Sequence, residues 1–302
     1  MLGKSNQISI NKKAHKNERS MFTIVKREFL RDPGAIVALI ILVIALLFVI
    51  TVPFFIDHDY MLTVNPRRLN NAPCSTHWLG TEGSGRDVFS LLALGARNSL
   101  MVAIAVTILS AFIGVSLGLI SGYFGGKFDN IMMRIVDFIS TLPMLVMMIA
   151  FLAIVPGFSM IRFISVMTFF SWAGTMRLIR ANALQEKELE YIQASKTLGT
   201  PHFKIIAKEL LPNISSIIIV NLTLSSAANV GLETGLTFLG FGFPFDTPSL
   251  GSLIASAAVP IVMQHRPWIW LPAAIFVLVL MFSINAVGKT LERSTDARLR
   301  RG

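Results

Sequence analysis

Few side chains in this sequence could perform chemistry. Cys74 is the single cysteine, which excludes an internal disulfide and any metal site built from several cysteines. Gly3-Lys4-Ser5 matches the end of a phosphate-binding loop but lacks its first glycine, and Gly126-Lys127 precedes Phe128 where Ser or Thr is needed. The histidines lack ligand-like spacing; they are His15, His58, His77, His202 and His265. We therefore expect no catalytic residue, metal site or cofactor on this chain.

The composition indicates an integral membrane protein. Of 302 residues, 53% are apolar and 15% are charged, whereas a soluble domain carries about 25% charged residues. The formal net charge is nevertheless +10. A nucleic-acid-binding protein would spread such a charge over a polar surface. The composition therefore argues against a soluble enzyme, a disordered chain and a nucleic-acid partner.

Six stretches of low charge predict six transmembrane helices, because a helix needs about 20 apolar residues to cross roughly 30 Å of hydrocarbon. The stretches are residues 33–56, 98–126, 138–161, 162–177, 210–232 and 267–288. The fourth is short, but it extends back through Pro156–Ile161, and Arg162 can direct its guanidinium toward the lipid head groups.

The basic residues predict the orientation of these spans. Of the 27 Lys and Arg residues, 21 fall in segment 1–32, in the second and fourth connections, and in the tail after the last span. Because basic residues concentrate on the cytoplasmic side, we expect both termini to be cytoplasmic. The same charge would attract anionic membrane lipid.

Two features within the spans concern packing. Gly114, Gly118, Gly122 and Gly126 recur at i, i+4 on one helical face, which would let a second helix approach closely. The span 210–232 is rich in Ser, Thr and Asn. These side chains either hydrogen-bond to neighbouring helices or line a hydrated route through the membrane.

Two segments on the opposite side carry further elements. In the loop 57–97, Ser84 is expected to cap a short interfacial helix with Val88, Leu91 and Leu92 on its apolar face. Residues 237–266 are rich in Gly and Pro and almost uncharged. We expect this second segment to dip back into the bilayer, shielded by protein.

Residues 178–212 predict two short helices in the cytosol. Glu186–Leu198 has good helix formers, and Gly199 suits the left-handed residue that ends a helix. Thr200 as N-cap and Pro201 as first residue would start a second helix, which ends before Pro212. Phe203, Ile206 and Leu210 would form its apolar stripe. Exposed apolar residues on such an element invite a protein partner, although a plain loop lying on the membrane would also fit.

This segment resembles the EAA loop of bacterial ABC-importer permeases. The resemblance is carried by Gln193-Ala194-Ser195, Gly199 and Leu211-Pro212, with Gln193 and Ser195 where Glu and Ala are usual. In that family the loop forms coupling helices that dock on a cytoplasmic ATPase. The resemblance therefore implies ATPase-coupling roles for eight residues: Gln193, Ala194, Ser195, Leu198, Gly199, Phe203, Leu211 and Pro212.

Three further stretches resemble signatures of the dipeptide, oligopeptide and nickel permeases. They are residues 77–97, which contain Gly80, Thr81, Gly85, Arg86 and Asp87; residues 233–242, which contain Glu233, Phe238, Gly240 and Gly242; and residues 247–251. The resemblance covers roughly residues 25–300. The long loop 57–97 is typical of the C-type member of a permease pair.

The resemblance implies an all-α integral membrane protein with the type I ABC importer fold, six transmembrane helices and cytoplasmic coupling helices. Its parts would be a basic cytoplasmic segment (1–32), a first membrane helix (33–56), an extracytoplasmic loop with an interfacial helix (57–97), a five-helix core (98–290) and a basic cytoplasmic tail (291–302). The expected location is the bacterial cell membrane.

The resemblance also implies partners and a function. The partners would be a homologous second permease subunit, two cytoplasmic ABC ATPases that bind ATP and Mg, and an extracytoplasmic substrate-binding protein. The chain itself would be non-catalytic and would form half of a path for di- and oligopeptides by alternating access. The alternatives are a nickel or metal-chelate permease of the same family and an ATPase-independent secondary transporter.

Overall fold

The computed structural model describes residues 28–56, 63–154 and 157–299. In these ranges the regular structure is helical, apart from an isolated bridge between Thr81 and Asp87. The basic residues of 1–27, His58 and the last three residues of the predicted tail lie outside the described residues.

A long loop separates the first two helices, and the later connections are shorter. In chain order the helices are α1 (Pro33–Phe55), α2 (Val88–Phe124), α3 (Gly126–Thr141), α4 (Met144–Ile154), α5 (Met160–Glu186), α6 (Glu190–Thr197), α7 (His202–Ile205), α8 (Leu211–Phe238), α9 (Leu250–Ala255), α10 (Pro260–His265) and α11 (Pro267–Leu299). A π-helical turn, Ile206–Leu210, joins α7 to α8 without a break. Within the described residues, four helical stretches are long and apolar enough to cross a membrane: Pro33–Phe55, Val88–Phe124, His202–Phe238 and Pro267–Ser294.

The predicted third span, 138–161, is wrong as a single helix. α3 ends at Thr141, and α4 begins at Met144 with its axis turned by 86°. Pro143 explains the break, because proline disfavours helical backbone at the preceding residue, and Leu142 is extended with ψ 140°. α3 and α4 together qualify as one bent span.

The short fourth stretch, 162–177, lies inside the continuous 27-residue helix α5. α5 is not among the four helical stretches that are long and apolar enough to cross a membrane. It carries Arg177 and Arg180 toward its end. Both arginines are paired: Arg177 lies 2.9 Å from a carboxylate oxygen of Asp137, and Arg180 binds Asp129. The pairing partners lie on α3, so ion pairs join α3 to α5.

The glycine series brings α2 and α5 together as parallel helices. A Cβ atom added at Gly114 would lie 2.8 Å from the Trp172 carbonyl oxygen. One at Gly118 would lie 2.8 Å from the Met176 carbonyl oxygen, and one at Gly122 would lie 2.6 Å from the Cβ atom of Ala183. The packing prediction is confirmed at these three positions. It is wrong for Gly126, which lies beyond the end of α2 with nothing within 4 Å of its Cβ position.

The remaining long helices alternate in direction. Residues near the start of α8 pack with Leu119 and Tyr123 at the end of α2, so α8 runs antiparallel to α2. α11 runs antiparallel to α8, because Gly231 meets Met281 whereas Gly288 meets Leu224. Arg293 near the end of α11 lies 3.0 Å from Asp32, the N-cap of α1. The two ends of the described chain therefore lie at the same end of the bundle.

The separate interfacial helix capped by Ser84 is not formed. Val88, Leu91 and Leu92 belong to the first turns of the 37-residue helix α2, and all three are buried. The N-cap is Asp87, whose carboxylate accepts hydrogen bonds from the Ser90 amide at 3.0 Å and the Ser90 hydroxyl at 2.7 Å. These three apolar side chains pack in the bundle core rather than at a membrane surface. Helix α2 continues without a break from Val88 into the membrane-spanning part.

Candidate functional site

Residues 187–212, the segment predicted to couple to an ATPase and called the coupling segment below, are held at one end of the bundle by three buried side chains. Ile192 on α6, Ile205 on α7 and Leu210 in the π turn are fully buried. They pack against residues at the ends of α2 and α5 and the start of α8: Leu119, Tyr123, Ile179, Ala183 and Ile214. This end of the bundle is called the coupling end below. The segment is therefore fixed to three long helices at once.

Gly199 makes the corner between α6 and α7. Its φ of +77° is the left-handed conformation that glycine adopts without strain. The Thr200 amide donates to the Ser195 carbonyl at 3.1 Å, and the Gly199 amide donates to the Lys196 carbonyl at 3.0 Å. These two bonds form a Schellman motif, so the prediction of a left-handed helix end at Gly199 is confirmed.

Two large apolar side chains project from this corner into open space. Leu198 is 85% exposed and Phe203 is 81% exposed. They lie on either side of Gly199, and the buried residues on the opposite face hold them in place. Neighbouring exposed apolar side chains of this kind are typical of protein–protein interaction surfaces.

Polar contacts tie the coupling segment to itself and to the bundle. The Ser195 hydroxyl donates to a Glu209 carboxylate oxygen at 2.9 Å, and the Gln193 amide donates to the Lys187 carbonyl at 2.8 Å. Tyr123 and His202 are hydrogen-bonded at 2.8 Å between the Tyr hydroxyl and Nδ1. The residues that depart from the usual EAA pattern, Gln193 and Ser195, thus both make contacts within the segment.

Tyr191 links α5, α6 and α8. Its hydroxyl donates to a Glu186 carboxylate oxygen at 2.6 Å and accepts from the Asn213 side-chain amide at 2.6 Å. Partial removal from water, followed by the hydrogen bond to the Glu186 carboxylate, raises the pKa of Tyr191 above its ordinary value.

The predicted limits of the two short helices differ from those observed. The first helix runs over Glu190–Thr197 rather than Glu186–Leu198, because α5 continues to Glu186 and a turn follows it. The second begins at His202, with Pro201 rather than Thr200 at the N-cap. These two boundary predictions are wrong by a few residues, while the order of helix, glycine and helix is confirmed.

The second helix does not end before Pro212. Leu211 and Pro212 are the first two residues of α8, directly after the π turn. Proline lacks an amide donor and its ring crowds the carbonyl four residues earlier, and the wider π turn accommodates both. Of the predicted apolar stripe, Ile206 and Leu210 pack in one buried cluster, as predicted, whereas Phe203 is exposed, so the prediction is wrong for Phe203.

The first family-motif residues form a folded loop at the opposite end of the bundle. The Thr81 hydroxyl accepts from the Asn71 amide at 2.8 Å and donates to the Arg68 carbonyl. Gly80 and Gly85 have positive φ, and a Cβ at Gly85 would lie 2.2 Å from the Asn65 carbonyl oxygen. Asp87, besides capping α2, lies 3.0 Å from His77 Nδ1. These residues shape the entry to α2.

The second family-motif group surrounds the end of α8. Glu233 is fully buried, and it accepts a hydrogen bond from the Thr237 hydroxyl at 3.0 Å. Phe238 is the last residue of α8, and Gly240 follows it with φ +87°. A Cβ at Gly242 would lie 2.0 Å from the Thr237 hydroxyl oxygen, so this position requires glycine.

The structure brings the two family-motif groups together. The Arg86 guanidinium binds Glu82 and donates to the Phe245 and Asp246 carbonyls at 3.3 and 3.4 Å. The Asn98 side-chain amide donates to the Pro248 carbonyl at 2.8 Å. The coupling residues lie at the other end of the bundle, so the predicted site residues form two clusters joined by the long helices.

The polar residues of the span 210–232 form hydrogen bonds to neighbouring helices, which is one of the two roles predicted for them, while the hydrated route stays a prediction. Asn229 donates to the Thr107 hydroxyl at 2.9 Å, and the Thr175 hydroxyl donates to Asn221 at 3.0 Å. Asn229 and Ser225 also line a cavity of about 370 Å³ between α2, α5, α8 and the break between α3 and α4. No sequence pattern located this cavity, because it depends on how four elements meet.

Comparison with known proteins places this architecture in a family. Residues 114–297 match the family described as binding-protein-dependent transport system inner membrane component, and residues 20–73 match the N-terminal TM domain of oligopeptide transport permease C. The oligopeptide transport system permease protein OppC of Lactococcus lactis subsp. cremoris is 43% identical over 96% of this chain and 99% of its own length.

Two further relatives come from Bacillus subtilis. Its oligopeptide permease protein OppC is 35% identical over 96% of this chain and 93% of its own length. Its dipeptide transport system permease protein DppC is 35% identical over 91% of this chain and 85% of its own length. The similarity therefore includes both the coupling segment and the two family-motif groups.

Proposed function

The chain belongs to the family of binding-protein-dependent transport system inner membrane components, and on this premise we propose that it is a C-type permease subunit of an ATP-driven importer of oligopeptides and dipeptides. The observation that carries the proposal is the end-to-end similarity to permeases named for oligopeptide and dipeptide transport. The nickel or metal-chelate alternative is not favoured, because the relatives described above are named for peptides. The family also disfavours an ATPase-independent secondary transporter.

The membrane arrangement we propose has six crossings. The bent pair α3–α4 counts as one crossing, because α2 and α5 run parallel and the chain between them must return along the bundle. α5 counts as another, since it packs along α2 through three glycines. With α1, α2, α8 and α11, six crossings of alternating direction result. In this arrangement residues 1–32 and 291–302 are both cytoplasmic. The concentration of basic residues in these segments supports this orientation. The contact between Arg293 and Asp32 agrees with it, because it puts the two segments at the same end of the bundle.

A label test checks this orientation. A cysteine-reactive, membrane-impermeant label should not reach a cysteine appended after Gly302 in intact cells, and should reach it after permeabilisation. Cys74 in the proposed extracytoplasmic loop is exposed and provides the internal positive control. Labelling of the added cysteine in intact cells would contradict the proposed topology.

The coupling segment is the proposed docking site for one of two cytoplasmic ATPases, which bind ATP and Mg. Leu198 and Phe203 would insert into the ATPase surface. Gly199 sets the angle between the helices that present them, and Gln193, Ala194 and Ser195 lie on α6 beside it. Leu211 and Pro212 connect the site to α8.

The continuous helix from His202 to Phe238 offers a route for coupling. It has 37 residues and thus spans about 55 Å at 1.5 Å per residue. Phe203 lies at its coupling end, and Glu233 and Phe238 lie at the other. Movement of the ATPases would displace this helix and alter access at both ends, which is alternating access. The cavity lined by Ser225 and Asn229 lies along the same helix and is the proposed path.

An uptake experiment tests the function. A strain lacking this chain should lose uptake of radiolabelled oligopeptides and dipeptides, and expression of the chain should restore it. Uptake of labelled nickel serves as the comparison and should not change. Loss of nickel uptake with normal peptide uptake would overturn the peptide assignment in favour of the metal-chelate alternative.

A further inference from the structure

A second cavity lies at the end of the bundle opposite the coupling segment. It has a volume of about 340 Å³, which falls in the range of ligand pockets. It lies between the end of α4, the start of α5, the end of α8 and the segment that leads to α9. Aromatic side chains form much of its wall: Phe158, Phe163, Phe241, Phe243 and Phe245.

The aromatic wall is packed and largely fixed. Phe158 and Phe243 have ring centroids 5.0 Å apart, and Phe163 lies 6.2 Å from each of them. Phe163 and Phe243 are buried. Gly242 lies beside this wall, where its close approach to Thr237 excludes any side chain. Phe163 and Phe243 therefore form the buried part of the wall, whereas Phe245 is 73% exposed.

Arg162 is the charged residue among the described residues that line this cavity. Its Nε is buried and has no hydrogen-bond partner in the described part of the protein. Val155 and Pro156, which lie outside the described residues, carry no charge. The Arg162 side chain thus lines an aromatic cavity, and its extension toward the lipid head groups stays a prediction.

The Arg162 side chain is suited to bind an anion in this cavity. A guanidinium stays charged at physiological pH, and the buried Nε has no hydrogen-bond partner to offset its removal from water. Its planar donors match a carboxylate, with which it forms paired hydrogen bonds. The aromatic walls would accept apolar side chains of varied shape beside that carboxylate.

We propose that Arg162 and this aromatic cavity bind the C-terminal carboxylate of the incoming peptide. The inference rests on the proposed function, because it takes the substrate to be a peptide that enters from the end opposite the coupling segment. Phosphate groups of lipids are the competing source of an anion. The aromatic side chains around Arg162 suit the side chains of a peptide and favour its carboxylate as the anion.

The test compares one peptide in two forms, with a free C-terminal carboxylate and with a C-terminal amide. The complete transporter, with its second permease, ATPases and binding protein, is reconstituted in vesicles of zwitterionic lipid. Initial uptake rates are measured for the wild type, Arg162→Gln and Arg162→Lys. The binding protein is the same in every arm, so its own preference cancels in the ratio between variant and wild type.

Arg162→Gln should reduce uptake of the free-acid peptide about tenfold and leave the amidated peptide unchanged, whereas Arg162→Lys, which keeps the charge but not the paired donors, should give an intermediate rate. Arg67→Gln is the matched control, because Arg67 is an exposed arginine in the loop at the same end of the bundle, and it should change neither rate. ATP hydrolysis without peptide checks that each variant assembles.

Three outcomes would overturn the inference. An unchanged ratio of the two rates in Arg162→Gln, with wild-type uptake intact, would refute the carboxylate site alone. An effect of Arg162→Gln that appears only when anionic lipid is added to the vesicles would assign the anion to a lipid phosphate. A wild-type transporter that takes up neither peptide would refute the proposed function, and the carboxylate site with it.

Discussion

Replacing Phe203 with alanine should weaken binding of the cytoplasmic ATPase without altering the fold of this chain. Phe203 is 81% exposed, whereas its neighbour Ile205 is fully buried and holds the helix in place. Truncation at position 203 therefore removes a surface that the isolated chain does not use. Any loss in affinity reports on docking rather than on internal packing.

The magnitude follows from the exposed fraction. Full burial of a phenylalanine side chain contributes about 1.5–3 kcal/mol. Burial of about four fifths of it on docking would contribute about 1.2–2.4 kcal/mol, which is an 8- to 60-fold change in Kd. Part of this surface stays in contact with water in a real interface, so the lower half of the range is expected.

The assay measures the Kd of the purified ATPase for the two-permease complex in lipid nanodiscs. Phe203→Ala should raise this Kd roughly tenfold and leave the thermal unfolding temperature unchanged. Phe282→Ala is the matched control, because Phe282 is 71% exposed on α11, away from the coupling segment. It should change neither quantity. A Kd for Phe203→Ala equal to wild type would refute the docking role of this residue.

Three further predictions concern glycine geometry and one tyrosine. Gly199→Val should uncouple ATP hydrolysis from uptake while the complex still assembles, because the left-handed backbone costs an L-residue about 1–2 kcal/mol. Gly199→Asn should retain coupling, because asparagine tolerates that backbone. Equal uptake by both variants would contradict the prediction. Gly118→Ala should destabilise the protein by about 1–3 kcal/mol, because the added methyl group would contact the Met176 carbonyl. Gly235 has open space around its Cβ position, so Gly235→Ala should not destabilise the protein. Thermal unfolding in detergent measures the stability of the two variants. The raised pKa of Tyr191 means that its contribution to stability is present below pH of about 10 and is lost as the pH rises through the folded-state value. Ultraviolet titration of Tyr191→Phe should therefore lack the tyrosinate signal that appears at the highest pH, and its persistence would contradict the assigned environment.

The sequence alone determined the class of protein and most of its membrane-spanning segments. Long apolar runs must form helices in lipid, because a helix satisfies its own backbone hydrogen bonds. The glycine repeat predicted the close approach of α2 to a second helix, and Gly199 predicted a left-handed corner. These features depend on local chemistry, which neighbouring residues define without reference to the rest of the chain.

Only the tertiary structure decided which residues meet. The continuation of α7 into α8 and the extension of α2 back to Asp87 both depend on packing that periodicity does not record. The approach of Arg86 to the Phe245 carbonyl joins residues 159 positions apart. The place of Arg162 in one cavity with Phe243 is likewise a product of distant segments, because the surroundings of a side chain do not follow from its own position in the sequence.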